Sequence, residues 1–295
     1  DTMSEVNFEN LLSTGAHFGH VTRKWHPAYE PFILMERNGV HIINLEETLS
    51  GLKKAQDFLT QVIKKNGEVL FVGTKKQAKD IVQQEADRCG MFYVVERWLG
   101  GTLTNYSTIK KSIKRLQMLE KEGSSIYEDL TKKEIQMLNR ERVKLADQHR
   151  GIKDMRRVPD ALVVVDANFE STAIQEALRL EIPVIAIVDS NTDPSVVSHV
   201  IPANDDSLRT IQLIIGSIAD SILEITKNIK MIWLKKNMKK ISSNKPISIN
   251  SFFFNNMHAP KVFSIQISPS SLMGRSFSPF SGNKPPVYVN WLFSL

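Results

Sequence analysis

Two runs of this chain, Ala161-Leu162-Val163-Val164-Val165 and Val184-Ile185-Ala186-Ile187-Val188, contain no polar residue, and each ends against an aspartate. A strand with one face in water alternates polar and apolar residues, whereas an unbroken β-branched run suits a strand covered on both faces. Between them Ser171 to Leu180 has the length and pattern of one helix. Strand, helix and strand in line form the crossover that a parallel sheet requires. The same rhythm recurs upstream. His41 to Leu45 precedes an amphipathic stretch from Glu46 to Lys65, Val69 to Gly73 precedes Thr74 to Arg88, and Met91 to Val95 is a further run. Val200-Ile201 adds a short strand and Asp205 to Lys227 a closing helix. The pattern predicts an α/β fold, a doubly wound parallel sheet layered between helices.

One stretch departs from this rhythm. From Asn105 to Lys121 the spacing of Ile109, Ile113, Leu116 and Leu119 predicts a helix, and a Gly123-Ser124-Ser125 turn follows. A second helix is predicted from Thr131 to Arg150, with Thr131 as N-cap and Glu134 three residues on, the pattern of a capping box. Its stripe of Ile135, Leu138 and Leu145 is interrupted by Arg142. Two helices joined by a short turn predict an antiparallel hairpin, inserted at about residues 105–150. The α/β domain then spans residues 1–228. Residues 229–295 are a basic extension expected to be disordered or loosely attached.

Charge decides how a polyanion could be bound. The 295 residues carry 38 Lys and Arg against 32 Asp and Glu, a net of +6. From Ile229 onward there are nine Lys or Arg and no acid, which leaves 29 basic against 32 acidic residues before it, a net of −3. Bulk attraction is therefore excluded for the domain, and only local clusters can serve. The hairpin is such a cluster. Ser107 to Arg150 holds eleven cations against seven acids: Lys110, Lys111, Lys114, Arg115, Lys121, Lys132, Lys133, Arg140, Arg142, Lys144 and Arg150. Lys153, Arg156 and Arg157 follow. Lys110 and Lys114, like Lys111 and Arg115, lie four apart on one helical face, where like charges repel unless a polyanion screens them. A solvated helix face is the alternative reading.

Other function classes are narrowed by composition. The single cysteine, Cys89, excludes an intramolecular disulfide framework and fits a reducing compartment. No apolar run approaches the roughly 18 residues of a membrane span, so no membrane partner is expected. The first ten residues are acidic and polar, unlike a secretory signal or an arginine-rich transit peptide.

Several features could belong to an enzyme. Asp166 and Asp189 end two strands, and Asn191 and Asp193 follow the second, where α/β enzymes bind ligands and where magnesium could sit. Aspartates there also cap helices and shape turns, which is the favoured reading, since no nucleophile motif stands beside them. Gly73-Thr74-Lys75-Lys76 could hold a phosphate at a helix start, but it lacks the spacing of a nucleotide loop, so a nucleic-acid phosphate is the compatible ligand. His17 and His20 lack the further ligands of a structural zinc site. Arg23, Lys24 and Trp25 interleave cations with an aromatic, as RNA contacts do. Arg97, Trp98, Gly100, Gly101 and Asn105 form either a binding loop or a tight turn. The residues predict no catalytic group, no cofactor, no metal and no small-molecule substrate.

Taken in order, "GAHFGHVTRKWHP" at Gly15, "NGVHIINLEET" at Asn38, "VLFVGTKKQAKDI" at Val69 and "RWLGGTLTN" at Arg97 resemble the small-subunit ribosomal protein two family of bacteria and organelles. "LTKKE" at Leu130, "GIKDM" at Gly151, "VPDALVVVD" at Val158, "IPVIAIVDSNTDP" at Ile182 and "IPANDD" at Ile201 extend the resemblance over Phe8 to Asn228. It implies a flavodoxin-like domain with an inserted hairpin, no enzymatic activity, and a place in the ribosome of a bacterial cytoplasm or of an organelle (mitochondrion or plastid). The implied partners are small-subunit ribosomal RNA, neighbouring small-subunit proteins and the large messenger-binding protein number one. By motif, RNA would be met by Arg23, Lys24, Trp25, Lys75, Lys76, Arg97, Trp98, Gly100, Gly101 and Asn105. The hairpin and the segment after it would add Lys110, Lys111, Lys114, Arg115, Lys132, Lys133, Arg140, Lys153, Arg156 and Arg157. Two positions depart from the family pattern: Thr102 stands where methionine is usual, and Arg150 replaces the first glycine of a Gly-Gly pair. The second departure bears on how the hairpin rejoins the sheet.

Overall fold

The computed structural model describes residues 6–121 and 130–242, with side chains as far as residue 235. The turn expected at Gly123-Ser124-Ser125 and the extension beyond residue 242 lie outside the described residues. Helix α1 (Phe8–Thr14) starts where the Asn7 carboxamide accepts the Asn10 amide, and ends at Gly15 with φ of 78°. Next come β1 (Phe18–Val21), β2 (Ile33–Arg37) and β3 (Val40–Ile43), which make a separate antiparallel sheet in the order β1-β3-β2. Asn38 and Gly39 join β2 to β3, both with positive φ (54° and 73°), as the tight primed turn of a hairpin requires.

Here the structure corrects the reading of His41 to Leu45: His41 to Ile43 belong to this sheet and not to the parallel one, and Asn44 and Leu45 already start the next helix. Burial alternates along β3, with His41 and Ile43 inside and Val40 and Ile42 half out. One covered face is the mark of an antiparallel sheet.

Helix α2 (Leu45–Lys64) follows, its first turn capped by Asn44, and leads into β4 (Val69–Val72), α3 (Lys79–Cys89) and β5 (Phe92–Val94). The hairpin helices α4 (Tyr106–Glu120) and α5 (Lys132–His149) precede β6 (Ala161–Val165), α6 (Ser171–Arg179), β7 (Val184–Val188), β8 (His199–Pro202) and α7 (Leu208–Ser242). Five strands pair in parallel in the order β5-β4-β6-β7-β8. Counted within that sheet the order is 2-1-3-4-5, the flavodoxin-like arrangement, whose topological switch falls between β4 and β6.

Both faces of the sheet are covered, which explains the unbroken apolar runs. Successive residues point to opposite faces: Phe71, Val163 and Ile185 enter a core with α2, α3 and α7, while Leu70, Leu162 and Val184 enter a second core with α4 and α6. Two boundaries differ from the sequence pattern. Helix α3 begins at Lys79 instead of Thr74, and α7 runs on to Ser242, through the first part of the acid-free extension.

Candidate nucleic-acid interface

The carboxyl edge of the parallel sheet is where an α/β fold ordinarily receives a ligand. Here the chain fills it with its own charges. The Lys75 ammonium lies 2.9 Å from Asp166, 2.7 Å from Asp205 and 2.7 Å from Asp206. Burial alone would lower that ammonium, but the carboxylates outweigh it and raise the pKa. The Thr74 amide donates to Glu170 at 2.6 Å. Amide and ammonium at the Gly73-Thr74-Lys75-Lys76 turn are thus spoken for, and only Lys76 of the two lysines stands exposed without an ion pair among the described residues.

The strand-end aspartates do what the favoured reading gave them. Asp166 accepts from the amides of Asn168 and Phe169 at 3.1 and 2.9 Å, and Asp193 from that of Ser195 at 2.9 Å. Asp189 accepts from the Ser190 amide and pairs with His20 Nδ1 at 3.0 Å. The bond to Asp189 raises the pKa of His20, partly opposed by burial. Together with the Ser190 hydroxyl, which accepts the His20 amide at 2.8 Å, this pair ties the antiparallel sheet to the parallel one. Among the described residues no group of His, Cys, Asp and Glu is arranged to hold a metal ion.

The loop after β5 turns inward. Trp98 is buried, and its indole N–H donates to Glu176 of α6 at 3.1 Å. The same carboxylate accepts the amides of Gly101 (2.7 Å), Leu103 (3.0 Å) and Thr104 (3.1 Å), and the Thr104 hydroxyl at 3.1 Å. Burial works to raise the Glu176 carboxyl, yet these hydrogen bonds hold it below the usual range. Thus Trp98 is an anchor within the core instead of a stacking surface, while Arg97, Gly100 and Asn105 are exposed. Sequence reasoning missed Glu176. Its signal was an acid on the buried stripe of α6, between Ala173 and Ala177. Thr102, the first departure from the family pattern, is buried and donates to Leu99 O at 2.6 Å.

From this loop rises the hairpin. Ser112 meets His149 at 2.9 Å and Arg115 meets Glu141 at 3.0 and 3.1 Å, so partners on α5 descend as α4 ascends, which is antiparallel packing. At the start of α5 the Glu134 carboxylate accepts the Thr131 amide at 2.9 Å, as the capping pattern predicts, and also the Thr131 hydroxyl at 2.7 Å. Where the hairpin rejoins the body, Gly151 lies so close to Tyr93 that a Cβ would sit 2.1 Å from its carbonyl oxygen. Arg150 instead points outward and bonds Gln83 at 2.8 Å, so the second departure leaves that contact intact.

The predicted contact residues fall into two groups. Lys110 donates to Arg156 O at 2.6 Å and lies over the Tyr106 ring, Lys153 pairs with Glu120, and Arg157 pairs with Asp160. By contrast Lys111, Lys114, Lys132, Lys133, Arg140, Arg142 and Lys144 are exposed and have no ion-pair partner among the described residues. In the N-terminal segment Arg23 and Lys24 are likewise exposed, whereas Trp25 is half-buried with its ring 5.1 Å from that of His41. No helix among the described residues is long and apolar enough to cross a membrane.

The comparisons agree with this geometry. A family model described as ribosomal protein S2 matches residues 11–225. The small ribosomal subunit protein uS2 of Acidobacterium capsulatum is 50% identical over 223 residues, covering 75% of this chain and 74% of that protein. The family is one of structural ribosomal proteins, and that membership, not any missing group, settles the enzyme reading against catalysis. A parallel sheet whose ligand edge is closed by its own charges, an inserted hairpin and a match over most of the length lead to one conclusion: the chain belongs to the ribosomal protein S2 family.

Proposed function

We infer that this protein is a structural constituent of the small ribosomal subunit, in a ribosome of bacterial or organellar type, and that it is held to the subunit's RNA chiefly by its hairpin. Family membership supports the first part. The observation that carries the second is the set of exposed hairpin cations left without carboxylates, in a domain whose net charge is −3. Phosphates neutralised by lysine and arginine release counterions, which drives binding without any reading of bases. Lys111, Lys114, Lys132, Lys133 and Arg140 are assigned to phosphate contact, with Arg23, Lys24, Lys76, Arg97 and Arg156 as outlying contacts. Lys75 and Trp98 act inside the fold. Neighbouring small-subunit proteins complete the partners. The large messenger-binding protein number one rests on family resemblance alone.

The test is incorporation. Lys111→Glu, Lys114→Glu, Lys132→Glu and Lys133→Glu combined should exclude the full-length protein from small subunits on sedimentation, while circular dichroism shows the helices retained. Normal incorporation would refute the hairpin's role.

A further inference from the structure

The last part of α7 goes beyond the family's common core. The family match ends at residue 225, but the helix continues to Ser242. Up to Ile222 it is fastened to the body: Ile211, Ile214, Ile215, Ile218, Ala219 and Ile222 are buried against α2 and α3, and Ile229 is the last residue packed on that core. Past that point Met231, Ile232 and Leu234 are 50%, 66% and 44% exposed. At 1.5 Å per residue, residues 229–242 add about 20 Å of helix.

The composition of this segment is one-sided. Lysine stands at positions 230, 235, 236, 239 and 240, and no Asp or Glu occurs after Glu224. Positions 235 and 239, and 236 and 240, are four apart, one turn along the same face, where like charges disfavour the helix unless an anion lies against them. No carboxylate follows in sequence to relieve them.

We propose that residues 229–242 of α7 are a second RNA-binding element, laid against the phosphate backbone of the small-subunit RNA. Charge complementarity selects a polyanion, and the arrangement of the apolar residues selects RNA over an anionic lipid surface. A helix lying on a membrane needs its apolar and basic residues on opposite faces. Here Met231, Ile232, Trp233 and Leu234 are consecutive, so they encircle the helix instead of forming one side. Lysines then follow farther along the axis. The inference rests on the ribosomal reading above, and its test separates the two.

The experiment uses the full chain with Lys235→Gln, Lys236→Gln, Lys239→Gln and Lys240→Gln, which keep helix propensity while removing charge. Affinity for purified small-subunit ribosomal RNA should fall by at least about tenfold at 0.1–0.2 M salt, as expected for several lost phosphate contacts. A parallel variant replaces Lys111, Lys114, Lys132 and Lys133 by Gln. If only the hairpin variant loses affinity, the α7 element is refuted while the hairpin's role stands. Loss in the α7 variant alone upholds the element and refutes the hairpin, and loss in neither refutes both. Binding to vesicles containing anionic lipid, lost in the α7 variant while RNA affinity is unchanged, would assign the segment to a lipid surface and overturn the proposal.

Discussion

The sheet edge and the hairpin carry the same kinds of charged residue and use them in opposite ways. At the edge, Lys75 is enclosed by Asp166, Asp205 and Asp206, and His20 by Asp189, so each cation has its counter-charge within the fold. On the hairpin, Lys111, Lys114, Lys132, Lys133 and Arg140 face solvent with none among the described residues. What a lysine does is therefore set by whether the fold brings carboxylates to it. Charges satisfied internally hold the body together; charges left over are what a polyanion can use. The contrast breaks if edge substitutions spare stability or if hairpin substitutions spare binding.

The largest effect belongs to the edge. Lys75→Ala leaves three carboxylates without their cation and should destabilise the protein by about 3–5 kcal/mol, the usual cost of removing one partner from a buried charge cluster. Urea unfolding measures it, and a loss under about 1 kcal/mol would mean the cluster is a surface ornament. Next comes Glu176→Gln, which keeps the shape but sets an amide donor against backbone donors of the 98–104 loop. A cost of about 2–3 kcal/mol is expected, from the loss of charge-assisted bonds and a donor left unpaired.

The edge should also answer to pH. Asp205 is buried beside Asp166 and Asp189, with one carboxyl oxygen lacking any hydrogen bond among the described residues, and burial followed by those charges pushes its pKa up to about 7 despite Lys75. In the unfolded chain the same group titrates near 3.8. The folded state thus holds the extra proton between about pH 4 and 7. The stability it contributes is full below that window and is lost as pH rises through about 7. His20, also raised, acts with the same sign. Unfolding free energy measured from pH 5 to 8 should therefore fall, and Asp205→Asn should flatten the decline; an unchanged slope in that variant would place the titrating group elsewhere.

Much of this was legible in the sequence. The runs at Val69, Ala161 and Val184 announced a sheet covered on both faces, because no solvent-facing residue interrupts them. The capping pair Thr131 and Glu134 marked the start of α5. The antiparallel sheet is harder to read, since β1 and β3 are short and half-covered, although Asn38-Gly39 is a hairpin signal. At the site, pattern showed which residues carry charge but not which charges meet. Lys75 and Asp205 lie 130 positions apart in sequence, and only the return of the chain from β8 places them at 2.7 Å. Trp98 stands among the residues expected to meet RNA for the same reason: the acid that draws it inward, Glu176, belongs to helix α6.

The smallest effect on stability and the most direct test of the account coincide in the hairpin. Lys111→Gln, Lys114→Gln, Lys132→Gln and Lys133→Gln together should shift unfolding free energy by no more than about 0.5 kcal/mol, as exposed side chains without partners do. Yet the log-log salt dependence of binding to small-subunit RNA should become shallower by about 3 for these four lost contacts. A slope equal to that of the unaltered protein would contradict the claim that these unpaired cations meet the ribosomal polyanion.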